Sequence, residues 1–191
     1  MISPDYTNLN QTTDVSYEGI LEAREAVYRH LRPTPLISYP LLNQLLGCSV
    51  YVKHENHHPT GAFKVRGGVN LVSRLSREDK QRGIITATRG NHGQSIAFAS
   101  QLYGVRCLVA VPLGNNPEKN DAMRAYGAEL IIHGRDFDEA REKVEEIQKS
   151  EGLRYVHSAN EPQLIHGVGT YALEILEDLS QPDYIFVPLG G

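Results

Sequence analysis

The chain has 191 residues, of which 40% are hydrophobic, and it carries a formal net charge of −4. This length can bury one ordinary core or two small lobes, as expected of a globular protein. The acidic balance and the scattered lysines and arginines argue against nucleic acid or an anionic membrane surface as a partner. No apolar run is long enough to span a bilayer, and no secretory signal pattern is seen at residues 1–8.

The two cysteines, Cys48 and Cys107, are not spaced as a Cys-x-x-Cys pair. Each stands in or beside a predicted strand, so we expect two buried, reduced thiols. This pattern favours a cytoplasmic location.

Short β-branched runs alternate with longer amphipathic stretches along the chain. This alternation is typical of an α/β protein with strand–helix–strand units and a mostly parallel sheet. Strands are predicted at residues 49–53, 83–87, 105–111, 129–132, 154–157 and 184–188. Helices are predicted at residues 17–30, 63–75, 91–103, 117–126, 136–150 and 161–179.

Residues 54–58 match the His-Glu-x-x-His motif of zinc hydrolases. That motif binds zinc through two histidines on one face of a helix. Residues 50–52 before it have a strand pattern, and Pro59 disfavours the α conformation at His58. We therefore expect a histidine-rich loop and no metal site, and the zinc hydrolase is a remote alternative.

Lys64 follows a turn at residues 59–61 and stands near the start of a predicted helix. The positive end of the helix dipole disfavours its ammonium form, and burial would lower its pKa further. A neutral amine is the form that Schiff-base chemistry requires. Taken alone, such a position more often belongs to an ordinary surface lysine, so both interpretations stay open.

Residues 84–95 run from a strand through a glycine turn into a helix. Such a junction leaves backbone N–H groups free to bind a carboxylate or a phosphate. The alternative is a plain strand-to-helix turn in which Asn91 caps the helix.

Four segments, in order, resemble the fold-type II pyridoxal 5′-phosphate (PLP) enzymes of the threonine dehydratase and serine racemase type. Residues 59–67, Pro-Thr-Gly-Ala-Phe-Lys-Val-Arg-Gly, are similar to the box that contains the PLP lysine. Residues 88–94, Thr-Arg-Gly-Asn-His-Gly-Gln, are similar to the family's asparagine loop. Residues 167–174 resemble its Gly-Gln-Gly-Thr box with Ala-Leu-Glu after it, and residues 187–191 the start of its phosphate loop.

The family fold implies mostly parallel sheets flanked by helices in two domains. We expect a large cofactor domain, apparently truncated, from residues 1–76 and 161–191, and a small α/β domain from residues 77–160. A small amino acid would be the substrate, and a full-length protein would form a homo-oligomer.

The resemblance also implies a role for each matching residue. Lys64 would bind PLP as a Schiff base and then act as the base that removes the proton from the substrate Cα. Phe63 would pack beside the cofactor, and Asn91 would hydrogen-bond its phenolic oxygen. Gly190 and Gly191 would begin the phosphate site. The substrate carboxylate would be bound by residues of the asparagine loop, namely Thr88, Gly90, Asn91 and His92.

The implied reaction is that of a lyase. Loss of water from threonine or serine gives an enamine, which hydrolyses to a 2-oxo acid and ammonia. Val65, where threonine synthase and cysteine synthase boxes have an aspartate, favours the dehydratase branch.

Three residues depart from the family pattern. Ala62 replaces a serine, and Val168 replaces a glutamine. Arg89 stands where dehydratases tend to have alanine and serine racemases a serine, which makes racemisation by the serine route doubtful. Arg89 is a candidate specificity residue that could pair with a second carboxylate, as in 3-hydroxyaspartate. A solvent-facing arginine is the alternative.

The sequence stops at Gly191, where the phosphate loop would begin. A second hypothesis is therefore that these residues form a catalytically incomplete fragment or a binding module of the same family.

Overall fold

The computed structural model describes residues 15–188, so the predicted roles of Gly190 and Gly191 fall outside the described residues. Within this range the helices are α1 Tyr17–Tyr28, α2 Pro40–Leu46, α3 Lys64–Ser73, α4 Arg77–Arg82, α5 Asn91–Tyr103, α6 Pro117–Ala125, α7 Phe137–Glu151 and α8 Pro162–Asp178. The strands are β1 Leu36–Ser38, β2 Tyr51–Lys53, β3 Ile84–Ala87, β4 Cys107–Val111, β5 Glu129–Ile132 and β6 Arg154–Tyr155.

The strands form two sheets. A parallel sheet has the order β5-β4-β3-β6, and β1 and β2 form a separate antiparallel pair. The helices α5, α6 and α7 connect the parallel strands in turn, as a parallel sheet requires. The prediction of an α/β fold with a mostly parallel sheet flanked by helices is confirmed.

The central strands β3 and β4 are buried along their whole length because helices cover both faces of the sheet. Side chains alternate between the faces. Ile84 and Val109 pack in a core with Val65 and Val69 of α3, whereas Ile85 and Leu108 pack in a second core. The second core also includes residues of α7, namely Ala140 and Val144.

The helix α3 lies close against both α5 and α8 because glycines stand at the crossings. A Cβ on Gly68 would lie 2.6 Å from the backbone oxygen of Ser95 in α5. A Cβ on Gly167 of α8 would lie 2.5 Å from the backbone oxygen of Arg66. Side chains at these positions would push the helices apart, so the glycines fix where the start of α3 lies.

We expect Gly68→Ala to destabilise the protein by about 1–3 kcal/mol, since the added methyl overpacks a backbone contact. Equilibrium unfolding in urea measures the change. Ser73→Ala, at the end of the same helix, is the control, because it removes a hydrogen bond to the Asn70 carbonyl without adding volume at a helix crossing. A Gly68→Ala protein as stable as the Ser73→Ala protein would show that the crossing tolerates a side chain.

Several expectations are corrected by the structure. Residues 184–188 are not a strand: no described strand pairs with them, and Phe186 is 93% exposed. A strand requires a neighbour for its backbone groups. Cys107 is buried as expected, but Cys48 is exposed. Three elements are absent from the predicted set, namely β1, α2 and α4, because each is too short for a clear hydrophobic period.

Among residues 15–188, no helix has the length and apolar character needed to cross a membrane.

Candidate active site

A cavity of about 150 Å³ lies where α3 begins, between α5 and α8. The lining residues are contributed by these helices and by the loop after β6, and they are Phe63, Lys64, His92, Ser158, Ala159, Leu164, Ile165 and Val168. One wall is thus polar and carries an amine, while the wall formed by α8 is apolar.

Lys64 is the first residue of α3 and is half-buried. Its backbone carbonyl accepts a 2.6 Å hydrogen bond from the hydroxyl of Ser95, which ties the start of α3 to α5. Burial lowers the pKa of the Lys64 amine. A lysine at a cavity wall whose ammonium form is disfavoured has the character of a nucleophile or a base.

His92 is buried at the cavity and is held neutral. Its pKa is lowered to about 3, chiefly by burial and then by the charges of Lys64 and His157. Its Nε2 lies 2.9 Å from Thr86 Oγ1, and that hydroxyl donates its proton to the carbonyl of Val156 at 2.8 Å. Nε2 of His92 must therefore donate, which leaves Nδ1 as an acceptor.

Thr88 organises the start of α5. Its Oγ1 accepts hydrogen bonds from the N–H groups of Gly90 and Gly93, at 3.0 and 3.1 Å. The N–H groups of Asn91 and His92 make no backbone hydrogen bond among residues 15–188. Two donors at the positive end of a helix therefore remain available for an anion.

Asn91 is exposed beside the cavity and contacts Lys119. Lys119 Nζ donates to Asn91 Oδ1 at 3.1 Å, which leaves the amide N–H groups of Asn91 to donate elsewhere. Lys119 lies over Gly90, since a Cβ on Gly90 would be 2.5 Å from its Cδ. Arg89, the candidate specificity residue, is exposed.

The predicted site residues fall into three groups. The structure brings together at the cavity the residues Phe63, Lys64 and His92. At the adjacent start of α5, outside the cavity lining, it places the residues Thr88, Arg89, Gly90 and Asn91. Gly190 and Gly191 are not described.

The helix that the zinc alternative requires is not formed. Residues Glu55–His57 make one 3₁₀ turn, and His58 is extended. His54 Nε2 lies 2.8 Å from the hydroxyl of Tyr39, so the two histidines have separate surroundings. In the described part of the chain, no three His, Cys, Asp or Glu side chains cluster as metal ligands.

A buried ion network lies behind the lysine, centred on Arg66. The Arg66 side chain is fully buried, and all five of its N–H donors are used. Two go to Glu55, two to Glu174 and one to the hydroxyl of Thr170, at 2.6 to 3.1 Å. Lys53 Nζ lies 2.6 Å from Glu174, so two cations balance two carboxylates.

The network keeps both carboxylates ionised. Burial alone would raise the pKa of Glu55, but contacts from His58 and Arg66 outweigh it and hold the pKa at about 2. His58 Nε2 lies 3.4 Å from the Glu55 carboxylate, near enough for attraction but without hydrogen-bond alignment. For Glu174, burial is likewise outweighed by Arg66, Lys53 and Tyr28, and its pKa is also about 2.

These pKa values predict a loss of stability in acid. A carboxylate whose pKa is depressed by folding stabilises the fold above its solvated pKa, and the contribution is lost as the pH falls to the folded pKa. For Glu55 and Glu174 this window runs from about 4.5 down to about 2. Urea unfolding measured at several pH values in this window gives the free energy of unfolding. As the pH falls, that free energy should decrease more steeply for the parent protein than for Glu55→Gln. Equal slopes would contradict the assignment of Glu55.

Known proteins of one family are similar to this chain. A family model described as pyridoxal-phosphate dependent enzyme matches residues 27–191. The chain belongs to this family. An L-threonine ammonia-lyase of Thermotoga maritima is 37% identical over 177 residues, which cover 93% of this chain and 44% of that protein.

Two solved structures are similar to the described fold. A serine racemase from Dictyostelium discoideum superposes with a TM-score of 0.82 at 30% identity, covering 88% of this chain and 55% of that one. A PLP-dependent aspartate racemase gives a TM-score of 0.84 at 35% identity, covering 90% and 54%. The predicted threonine dehydratase and serine racemase type is confirmed, and the chain spans about half the length of these relatives.

The residues of this PLP-family chain fit the cofactor. A half-buried amine with a lowered pKa stands beside the ring of Phe63, which is itself held edge-on by Tyr171 at 5.9 Å between ring centroids. Unused N–H donors at the start of α5 and the acceptor Nδ1 of His92 adjoin the same cavity. This set of an amine, an aromatic surface and anion donors suits a charged pyridine aldehyde and an amino-acid carboxylate.

Sequence analysis missed the cavity wall opposite Lys64. Leu164, Ile165 and Val168 share one face of α8, at a spacing that a helical pattern could have shown. Val168, noted only as a departure from the family's glutamine, is part of this wall. The loop residues Ser158 and Ala159 carry no such signal.

Proposed function

We propose that this protein is a PLP-dependent ammonia-lyase that converts a hydroxy amino acid, threonine or serine, to a 2-oxo acid and ammonia. The observation that carries the proposal is the half-buried Lys64 with a lowered pKa, at a cavity that adjoins the start of α5. The threonine ammonia-lyase with 37% identity supports this reaction class.

Each residue then has a defined task. PLP, when bound, withdraws the electrons of the bond broken at the substrate Cα. Lys64 holds the cofactor covalently and, once released by the substrate, takes the Cα proton on Nζ. The free N–H groups of Asn91 and His92, together with the hydroxyl proton of Thr88, bind the substrate carboxylate. Gly90 contributes by donating its N–H to Thr88 Oγ1, which orients that hydroxyl.

Four residues besides Lys64 would contact the cofactor. Phe63 packs beside the ring, and Asn91 donates to the phenolic oxygen from the amide N–H groups that Lys119 leaves free. Gly190 and Gly191 begin the phosphate site.

The chain divides, in this proposal, into a cofactor domain of residues 1–76 and 161–191 and a small domain of residues 77–160. Two packing features support the division. The parallel sheet and its connecting helices all fall within residues 84–155. Outside that range, α1 and α3 each pack against α8.

Arg89 supports a finer choice of substrate. Its exposed side chain stands three residues before His92, where a second carboxylate could pair with it. The similar structure named as an aspartate racemase acts on a dicarboxylic amino acid, which favours 3-hydroxyaspartate as a candidate. Turnover of threonine, serine and 3-hydroxyaspartate, measured as the release of 2-oxo acid and ammonia, tests both the lyase reaction and the preference for a diacid. Absence of turnover refutes the lyase, and no preference for the diacid refutes the role of Arg89.

A binding module or an incomplete fragment is the second candidate, because the chain covers only 44% of the threonine ammonia-lyase. Adding PLP to the purified chain separates the two. A visible absorbance band from bound cofactor supports the enzyme, and its absence supports the second candidate.

We also propose a homo-oligomer and a cytoplasmic location. The two free cysteines, one of them exposed, support a reducing compartment. Sedimentation measures the oligomeric state.

A further inference from the structure

The loop of residues 156–161 joins β6 to α8 and supplies two residues to the cavity wall, Ser158 and Ala159. The N-terminal end of the loop is fixed to β3, since Val156 N–H donates to the carbonyl of Ile85 at 2.9 Å. Its other end is fixed by Glu161, which accepts two hydrogen bonds from Arg154 at 2.8 and 3.0 Å. The residues that reach the cavity lie between these anchors.

His157 holds the middle of the loop. Its Nδ1 accepts hydrogen bonds from the N–H groups of both Ala159 and Asn160, each at 3.0 Å. An acceptor at one residue that bonds the N–H groups two and three residues later is the arrangement that asparagine and aspartate make in tight turns. A histidine can make it only with an unprotonated Nδ1, since a protonated nitrogen has no lone pair to accept.

The surroundings of His157 contain few other polar groups that could take over this task. The ring of Tyr155 in β6 is 6.1 Å away between centroids. His92 of α5 interacts with it electrostatically, and Glu161 accepts the N–H of His157 at 3.2 Å. Arg154, on the remaining side, is paired with Glu161.

We propose that His157 is a positioning residue of the Lys64 cavity, whose unprotonated Nδ1 holds Ser158 and Ala159 in the cavity wall. The consequence for ligands rests on the proposed function of this cavity as the PLP and substrate site. Without this acceptor both N–H groups lose their partner at once, and Ser158 and Ala159 are no longer held in the cavity wall.

Two substitutions separate this role from a general structural one. His157→Ala removes the acceptor. His157→Asn keeps an acceptor, because Asn Oδ1 is the same number of bonds from Cβ as His Nδ1, and it does not protonate. His133→Ala is the matched control, since His133 is exposed and follows β5 at the opposite edge of the sheet.

The first measurement is amide hydrogen exchange at Ala159 and Asn160, which does not depend on activity. We expect His157→Ala to accelerate exchange at both amides about tenfold, as loss of hydrogen bonds of ordinary strength implies. His157→Asn and His133→Ala should match the parent at neutral pH.

The second measurement is PLP affinity, followed by visible absorbance. His157→Ala should bind PLP more weakly than the parent, and His157→Asn should bind PLP as the parent does. Unchanged exchange in His157→Ala overturns the proposal. If exchange is accelerated but PLP affinity is unchanged, His157 holds the loop but does not shape the cavity for PLP, and this part of the proposal is overturned. If the parent binds no PLP, the proposed function fails, and the exchange data still decide whether His157 holds the loop.

Discussion

Replacing Arg66 with methionine is expected to destabilise the protein by about 3–5 kcal/mol, a large part of the total stability of a typical domain. The guanidinium is fully buried and makes two hydrogen bonds to each of Glu55 and Glu174. Without it, the carboxylates of Glu55 and Glu174 lose their shared cation, and Lys53 beside Glu174 and His58 beside Glu55 remain as their neighbours. Equilibrium unfolding in urea at neutral pH measures the loss.

Arg106→Met is the control for this prediction. Arg106 also pairs with two carboxylates, Glu129 and Glu151, but its side chain is 46% exposed. Water already solvates these charges, so the loss should be about 1 kcal/mol or less. If Arg66→Met and Arg106→Met lose similar stability, the buried network does not support the start of α3 as we describe.

The Arg66 result also bears on the cavity, because the network holds the segment on either side of Lys64. Glu55 belongs to the turn before α3, and Glu174 belongs to α8, which forms the apolar wall. Restoring charge balance in the double variant Arg66→Met with Glu174→Gln should recover part of the stability. No recovery would mean that lost packing, rather than unpaired charge, dominates.

Replacing Lys64 with alanine is expected to abolish covalent attachment of PLP and to lower turnover by at least about 10³-fold, since the general base is lost. Reduction with borohydride, followed by mass analysis of peptides, locates the attached cofactor. In the parent, the label should fall on the peptide that contains Lys64. The Lys64→Ala protein should carry no label and show no shifted absorbance.

Lys143→Ala is the matched lysine control, because Lys143 lies on α7 in a surface pair with Glu146, away from the cavity. The Lys143→Ala protein should carry the PLP label on the Lys64 peptide and turn over the substrate as the parent does. A label found on another lysine, with the Lys64 peptide unmodified, would refute the assignment of Lys64.

Regular hydrophobic periods allowed much of the fold to be predicted. The strands β3, β4 and β5 and the helices α5, α6 and α7 lie within a few residues of their predicted positions, since each has a clear apolar face or a continuous buried run. Residues 184–188 show the limit of this reasoning. Their β-branched and aromatic composition predicted a strand, but strand formation depends on a neighbouring strand, which local composition does not reveal.

The site residues also divide into those that the sequence predicted and those that only the structure revealed. The lysine box and the asparagine loop are contiguous segments, so their motifs were visible in the sequence and led to Lys64, Asn91 and their neighbours. The ion network is not contiguous: Lys53, Glu55, Arg66 and Glu174 look like ordinary charged residues until α3 and α8 come together. His157 likewise gains its role only from the turn that its own ring closes.

The sequence by itself determined the family, the alternation of strands and helices and the candidate PLP lysine, because these depend on local patterns along the chain. The tertiary structure decided three other properties. It placed the α8 wall opposite Lys64, buried the charges behind the lysine and lowered the pKa of its amine. Burial and electrostatic pairing depend on distances between segments far apart in the chain, and only folding fixes those distances.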